Sequence, residues 1–116
     1  MAYYECGSDT SASTNLLINV PLPKDLNYTV STNLSGKSAL ICLFTFLSED
    51  SYYKGKCYKA VYFDITDEAN LGITYEAHLL VAGGYTGVDI TPSISKIVFN
   101  AYVHDKNCVL YRVIII

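Results

Sequence analysis

The chain reads as an all-β protein, an antiparallel β-sandwich of jelly-roll type with roughly 7–9 strands in a single domain. Three observations lead there. Short runs rich in Val, Ile, Tyr, Phe and Thr recur along the 116 residues, and these residue types suit a pleated, half-buried surface. Turn residues interrupt the runs roughly every 8–12 positions, the spacing of sandwiches and barrels. No apolar pattern of helical period and ordinary helical length is present. The length is that of one domain, divided into an N-terminal arm, residues 1–13, and the sandwich, residues 14–116.

The arm is small and polar apart from the pair Tyr3–Tyr4. It reads either as a free lead or as an arm that docks on a neighbour through the two tyrosines, which combine apolar area with a polar tip. "NLLINV" (15–20) is a strand ended by Pro21 and Pro23, which cannot continue a ladder. In "LNYTVST" (26–32), Leu26, Tyr28 and Val30 alternate with polar residues, as in a half-buried strand. "ALICLFTFL" (39–47) is apolar throughout and reads as a strand covered on both faces.

After the polar loop "SEDSYYKGK" comes the strand "CYKAVYFDI" (57–65). "TDEANLG" reads as a loop, with a single helical turn capped by Thr66 as the competitor. "ITYEAHLLVA" (73–82) alternates at first and is broken by "GGYTG", read as a turn, before a short strand "VDI". "ISKIVFNAYVH" and "CVLYRVIII" are two strands joined by a "DKN" turn. In the last strand, strict alternation sets Val109, Tyr111, Val113 and Ile115 against Cys108, Leu110, Arg112, Ile114 and Ile116.

Composition narrows the function. Charged residues make up only 16% of the chain against 51% hydrophobic. Usual composition is nearer one quarter charged, so part of the apolar surplus is expected to face another molecule. The net charge of −3 and the scattered cations argue against a nucleic-acid partner. The closest basic cluster, Lys54, Lys56 and Lys59, has Glu49 and Asp50 beside it. The start of the chain lacks a basic and then apolar leader, and no apolar run is long enough for a helical membrane span. A virion or a host cytoplasm is therefore the expected location. Cys6, Cys42, Cys57 and Cys108 show no metal-ligand spacing. Reduced thiols are the expectation, with a disulfide as the alternative for an extracellular product.

No catalytic set is legible. Glu76 and His78 share one strand face and offer an acid–base pair or two ligands. Solvent-facing polar positions of a half-buried strand explain them better. "DITDEAN" offers Asp64, Asp67, Glu68 and Asn70 as oxygen ligands, but not at calcium-loop spacing. No metal and no cofactor is expected, and the chain is read as a non-enzyme. Among the 11 tyrosines, Tyr52, Tyr53 and Tyr85 fall in apparent loops. They are the candidates for stacking on a sugar or anchoring a protein contact.

The ending "CVLYRVIII" poses its own question. Burying one isoleucine is worth roughly 1.5–3 kcal/mol, so both faces of this strand need cover. One solution is a homo-oligomer interface through Tyr3, Tyr4, Tyr111, Ile114, Ile115 and Ile116. The other is a strand central to a compact sandwich, covered on its second face by the N-terminal arm.

"MAYYECGS" and "GVDITPSISKIVFNAYV" resemble small tail and receptor-binding proteins of phages and prophages of gut bacteria. The resemblance covers about a quarter of the chain and carries no functional residue across. It implies a jelly roll or similar sandwich in a virion or phage accessory protein. The expected function is a non-enzymatic structural or interaction protein, phage-encoded and homo-oligomeric. The alternatives are a carbohydrate-binding module and an inhibitor of a host defence protein.

Overall fold

The computed structural model describes residues 14–23, 25–46, 59–81, 84–104 and 108–116. Among them are eight strands, β1 (Thr14–Pro21), β2 (Asn27–Ser31), β3 (Ala39–Phe46), β4 (Lys59–Asp64), β5 (Tyr75–Val81), β6 (Gly84–Pro92), β7 (Lys96–His104) and β8 (Cys108–Ile115). They form two four-stranded antiparallel sheets, ordered β1-β8-β3-β4 and β2-β7-β6-β5. The expected class and antiparallel pairing are present. The wiring combines two patterns. β1 pairs β8 and β2 pairs β7, so the outer strands nest across the sequence. β3–β4 and β5–β6–β7 are sequential antiparallel neighbours.

The two sheets enclose one core. Leu40, Cys42, Phe44, Phe63, Leu110, Val113 and Ile115 come from the first sheet, and Val30, Leu79, Val88, Ile90, Ile97, Phe99 and Ala101 from the second. The alternation in β2 is realised, with Val30 buried and Asn27, Thr29 and Ser31 exposed. β3 is covered on both faces, as a continuous apolar run requires. Leu40, Cys42 and Phe44 face the core, while Leu43 packs with Ile114 in a second cluster beneath Ile41, Ala60 and Tyr111.

Strict alternation fails in β8. Its register against β3 shifts between Leu43 and Phe44, where Arg112 and Leu110 are partnered and Tyr111 is passed over. This bulge inserts one residue and flips the faces beyond it. Cys108 and Leu110 therefore join Val113 and Ile115 in the core rather than opposing them. β1 carries its own irregularity between Leu17 and Val20, with Asn19 at φ 54°. Asparagine tolerates that left-handed conformation better than most residues. Pro21 lies inside β1, allowed because β1 is an edge strand and one side of its backbone needs no ladder donor.

Two loop readings are corrected. Residues 68–70 form a 3₁₀ turn capped by Asp67, whose carboxylate accepts from the Ala69 amide at 2.9 Å. Thr66 is not the cap; its hydroxyl donates to Asp64 at 2.6 Å. "GGYTG" is not a turn throughout, because Gly84–Gly87 already belongs to β6 and pairs with β5. Gly87 serves close approach there. A Cβ on it would lie 2.6 Å from the ring Cζ of Tyr102, the residue passed over where the β6–β7 register shifts.

The ends of the core predict the stability response. Phe99, fully buried on a central strand, should cost about 3–5 kcal/mol as Phe99→Ala. Thr29→Ser, at an exposed position of the edge strand β2, should stay within about 0.5 kcal/mol as a surface change away from special features. Urea midpoints of the two variants check the contrast.

Candidate functional site

A concave feature lies where the ends of the two sheets stand side by side. β4 ends the first sheet and β5 ends the second, and among the described residues neither outer edge pairs another strand. Between them is a cleft of about 530 Å³ lined by Lys59–Asp64 of β4, Asn70, and Tyr75–Leu79 of β5. Its size falls within the roughly 300–1,000 Å³ of ligand sites.

The floor is apolar and incompletely covered. Val61, Tyr75 and Ala77 pack against the core yet stay half-buried. Phe63 meets Tyr75 edge-to-face, ring centroids 5.0 Å apart, and ties the two sheets at one end. The rim is polar, because the exposed positions of an alternating edge strand carry charge, which also discourages stray pairing. Asp64 and Glu76 follow Phe63 and Tyr75 and sit at the tied end. Lys59 begins β4 at the other. Asn70 donates from its amide nitrogen to the Asp64 carbonyl at 3.0 Å, holding the connecting turn against the strand end.

Asp64 is held below the usual carboxylate range, first by the Thr66 side-chain hydrogen bond and then by the Thr66 amide. Of the oxygen groups of residues 64–70, two carboxylates are engaged locally. Asp64 accepts from Thr66, Asp67 caps the turn, and Asn70 presents a donor to Asp64. Among the described residues no group of three or more His, Cys, Asp or Glu is placed to hold a metal, and no helix is long and apolar enough to cross a membrane.

The two outer faces differ in chemistry. On the second sheet a polar row crosses four strands, Asn27, Asn100, Asp89 and Glu76, each opposite the next. His78 continues the polar face on β5, its ring 6.4 Å from that of Tyr102. The first sheet is apolar at the same level, where Ile114 pairs Ile41 and Ile41 pairs Tyr62. Leu43 and Ile114 are buried at its centre, while Leu17 is 60%, Tyr62 63% and Ile116 43% exposed around them. Arg112 is the cation on this face, donating to Asn15 at 2.9 Å with its guanidinium 5.1 Å from the Tyr111 ring centroid.

The sequence-derived candidates are now placed. Tyr3, Tyr4, Tyr52 and Tyr53 lie outside the described residues. Tyr85 is a correction. It belongs to β6, paired with Leu80, and not to a loop, because the glycines flanking it continue the ladder. Tyr111 is half-buried on the bulge. Ile115 faces the core and Ile114 the covered centre of the first sheet's outer face, both buried within one chain. Only Ile116 of the three is exposed. Its backbone is nonetheless bound at both groups, its amide to Ala39 at 3.0 Å and its carbonyl to Ser38 and Ala39. The cover sought for the isoleucines is therefore supplied mainly by this chain, which sets β8 between β1 and β3. The cleft itself was missed in the sequence. Its only trace there was Glu76 beside His78 on one strand and Asp64 closing another.

No protein-family model, no curated protein and no solved structure matches the chain.

Two outcomes follow from this chemistry. Cys42 and Cys108 are free and buried. Burial raises both thiols, Cys108 to about 12 and Cys42 higher, so neither supplies thiolate near neutral pH. Both should stay unlabelled by a thiol reagent at pH 8 in the folded chain and label rapidly in denaturant, read by peptide mass. For Asp64 the folded carboxyl titrates below its unfolded value. Its contribution to stability is then present above the unfolded value and lost as pH falls through the folded one. Thr66→Val should move the Asp64 carboxyl titration upward, whereas Thr66→Ser should retain it, followed by carbon chemical shift.

Proposed function

We propose that the chain is a non-enzymatic structural or interaction protein that works as a homo-oligomer, phage-encoded and associated with a virion or tail. The observation that carries self-association is the contrast between the outer faces. One sheet carries a polar row exposed at Asn27, Asn100 and Glu76 and half-buried at Asp89, while the other surrounds buried Leu43 and Ile114 with exposed Leu17, Tyr62 and Ile116. Exposed apolar side chains gathered on one face mark an interaction surface more readily than scattered ones. A second copy meeting that face would bury the rim around an already packed centre. The phage assignment rests on the resemblance of residues 87–103 and of the N-terminal stretch. The nesting of β1 with β8 and β2 with β7 supports a jelly-roll relationship for the outer strands.

The test is absolute mass by light scattering on a sizing column across a dilution series. The expected species is a multiple of the 12.8 kDa chain that dissociates on dilution. Ile116→Asp and Leu17→Glu should each weaken association by about tenfold or more with the β-sheet circular dichroism unchanged, as for truncation of an interface anchor. Ile114→Asp should instead lose the fold, since it places a charge in a buried site. A single-chain mass at every concentration would remove the self-association reading.

A further inference from the structure

We propose that a second cavity, on the opposite flank of the sandwich, binds a small organic acid, its carboxylate on a wall of donors and its hydrocarbon body on an apolar wall. The cavity has a volume of about 320 Å³ and is lined by Leu16, Ser31, Thr32, Asn33, Lys37 and Ile115. It lies where β1 and β2 end their sheets, and its size is at the lower end of the range for ligand sites.

Three observations choose the ligand. First, the polar wall offers donors. Asn33 spends its side-chain carbonyl on the Ser35 amide at 3.0 Å, which leaves its amide nitrogen to donate. Ser31 and Thr32 contribute hydroxyls and Lys37 an ammonium, and among the described residues no carboxylate lines the cavity. Second, two of these donors are unserved. The Thr32 hydroxyl is buried and makes no hydrogen bond. Lys37 is half-buried and pairs with no carboxylate among the described residues. A lysine is seldom withdrawn from water without a counter-charge, and a buried hydroxyl without a partner carries a cost that a ligand acceptor removes. Lys96, exposed on β7 as the register partner of Ser31, adds a second cation nearby.

Third, the rest of the wall is apolar and held in place. Leu16 and Ile115 pack in the core. The loop that carries the donors is pinned to the second sheet's connection, with the Thr32 amide donating to Ser95 at 3.0 Å and the Leu34 amide to Ile94 at 2.8 Å. A site ordered before its ligand arrives loses less entropy on binding. An inorganic anion would meet the donors and leave Leu16 and Ile115 unused, and a neutral alcohol would do the reverse. An aliphatic monocarboxylate uses both walls. This inference does not rest on self-association, since all six lining residues belong to one chain.

The experiment titrates the full chain with hexanoate and follows amide and methyl chemical shifts. The expected result is saturable shifts centred on Leu16, Thr32, Lys37 and Ile115. Hexanol and inorganic phosphate, each lacking one of the two contacts, should bind about tenfold more weakly. Lys37→Met, which keeps an apolar stem, should weaken hexanoate by about tenfold and leave hexanol unchanged. Thr32→Val should weaken hexanoate by about threefold, whereas Thr32→Ser should retain it. Circular dichroism checks that each variant is folded. The proposal is overturned if no saturable shifts appear, if hexanol or phosphate binds as well as hexanoate, or if Lys37→Met binds hexanoate unchanged. Saturable shifts centred elsewhere on the molecule would overturn it likewise.

Discussion

Everything in this fold depends on the position of β8. It is hydrogen-bonded on both sides, to β1 and to β3, and it packs on both faces. Val113 and Ile115 meet the opposite sheet, while Ile114 meets Leu43 on the outer side. A strand so placed tolerates little charge and little exposure. That is the physical sense of an ending with one arginine, and even that arginine is engaged by Asn15 and by the Tyr111 ring. Because β8 joins strands far apart in sequence, the first sheet is held together by long-range pairing. Non-local pairing of this sort makes ordering depend on long-range contacts.

The two sheets then differ for a reason set by that centre. Burial of Leu43 and Ile114 on the outside of the first sheet extends apolar character onto its surface, and Leu17, Tyr62 and Ile116 form the rim. The second sheet has no such outer cluster among the described residues, and its exposed rows are amides, carboxylates and an imidazole. A sandwich with one oily and one polar face offers two unlike surfaces for contact. The side between β4 and β5 adds a third, where half-buried Val61, Tyr75 and Ala77 floor a cleft with a polar rim.

Much of this was legible as pattern. The alternation of Leu26, Tyr28 and Val30, the unbroken run of β3 and the turn spacing all follow from the two-residue period of a strand. The failures also have physical causes. Glycine reads locally as a turn signal in 83–87, yet a glycine in a ladder also makes room for a neighbour's ring, as Gly87 does for Tyr102. Strict alternation runs through Tyr111 in the sequence, whereas a bulge there shifts the register by one residue. Local sequence does not announce which partner strand will pass a residue over.

The sequence by itself determined the strand class, the positions of most strands and the need to cover the terminal isoleucines, because side-chain period and burial energy are local properties of the chain. Only the tertiary structure decided that the cover comes largely from the chain itself, that Tyr85 lies in a strand, and that β4 and β5 end their sheets side by side to leave a cleft. Those outcomes depend on which strands pair, and pairing is a choice among distant segments that no local pattern encodes.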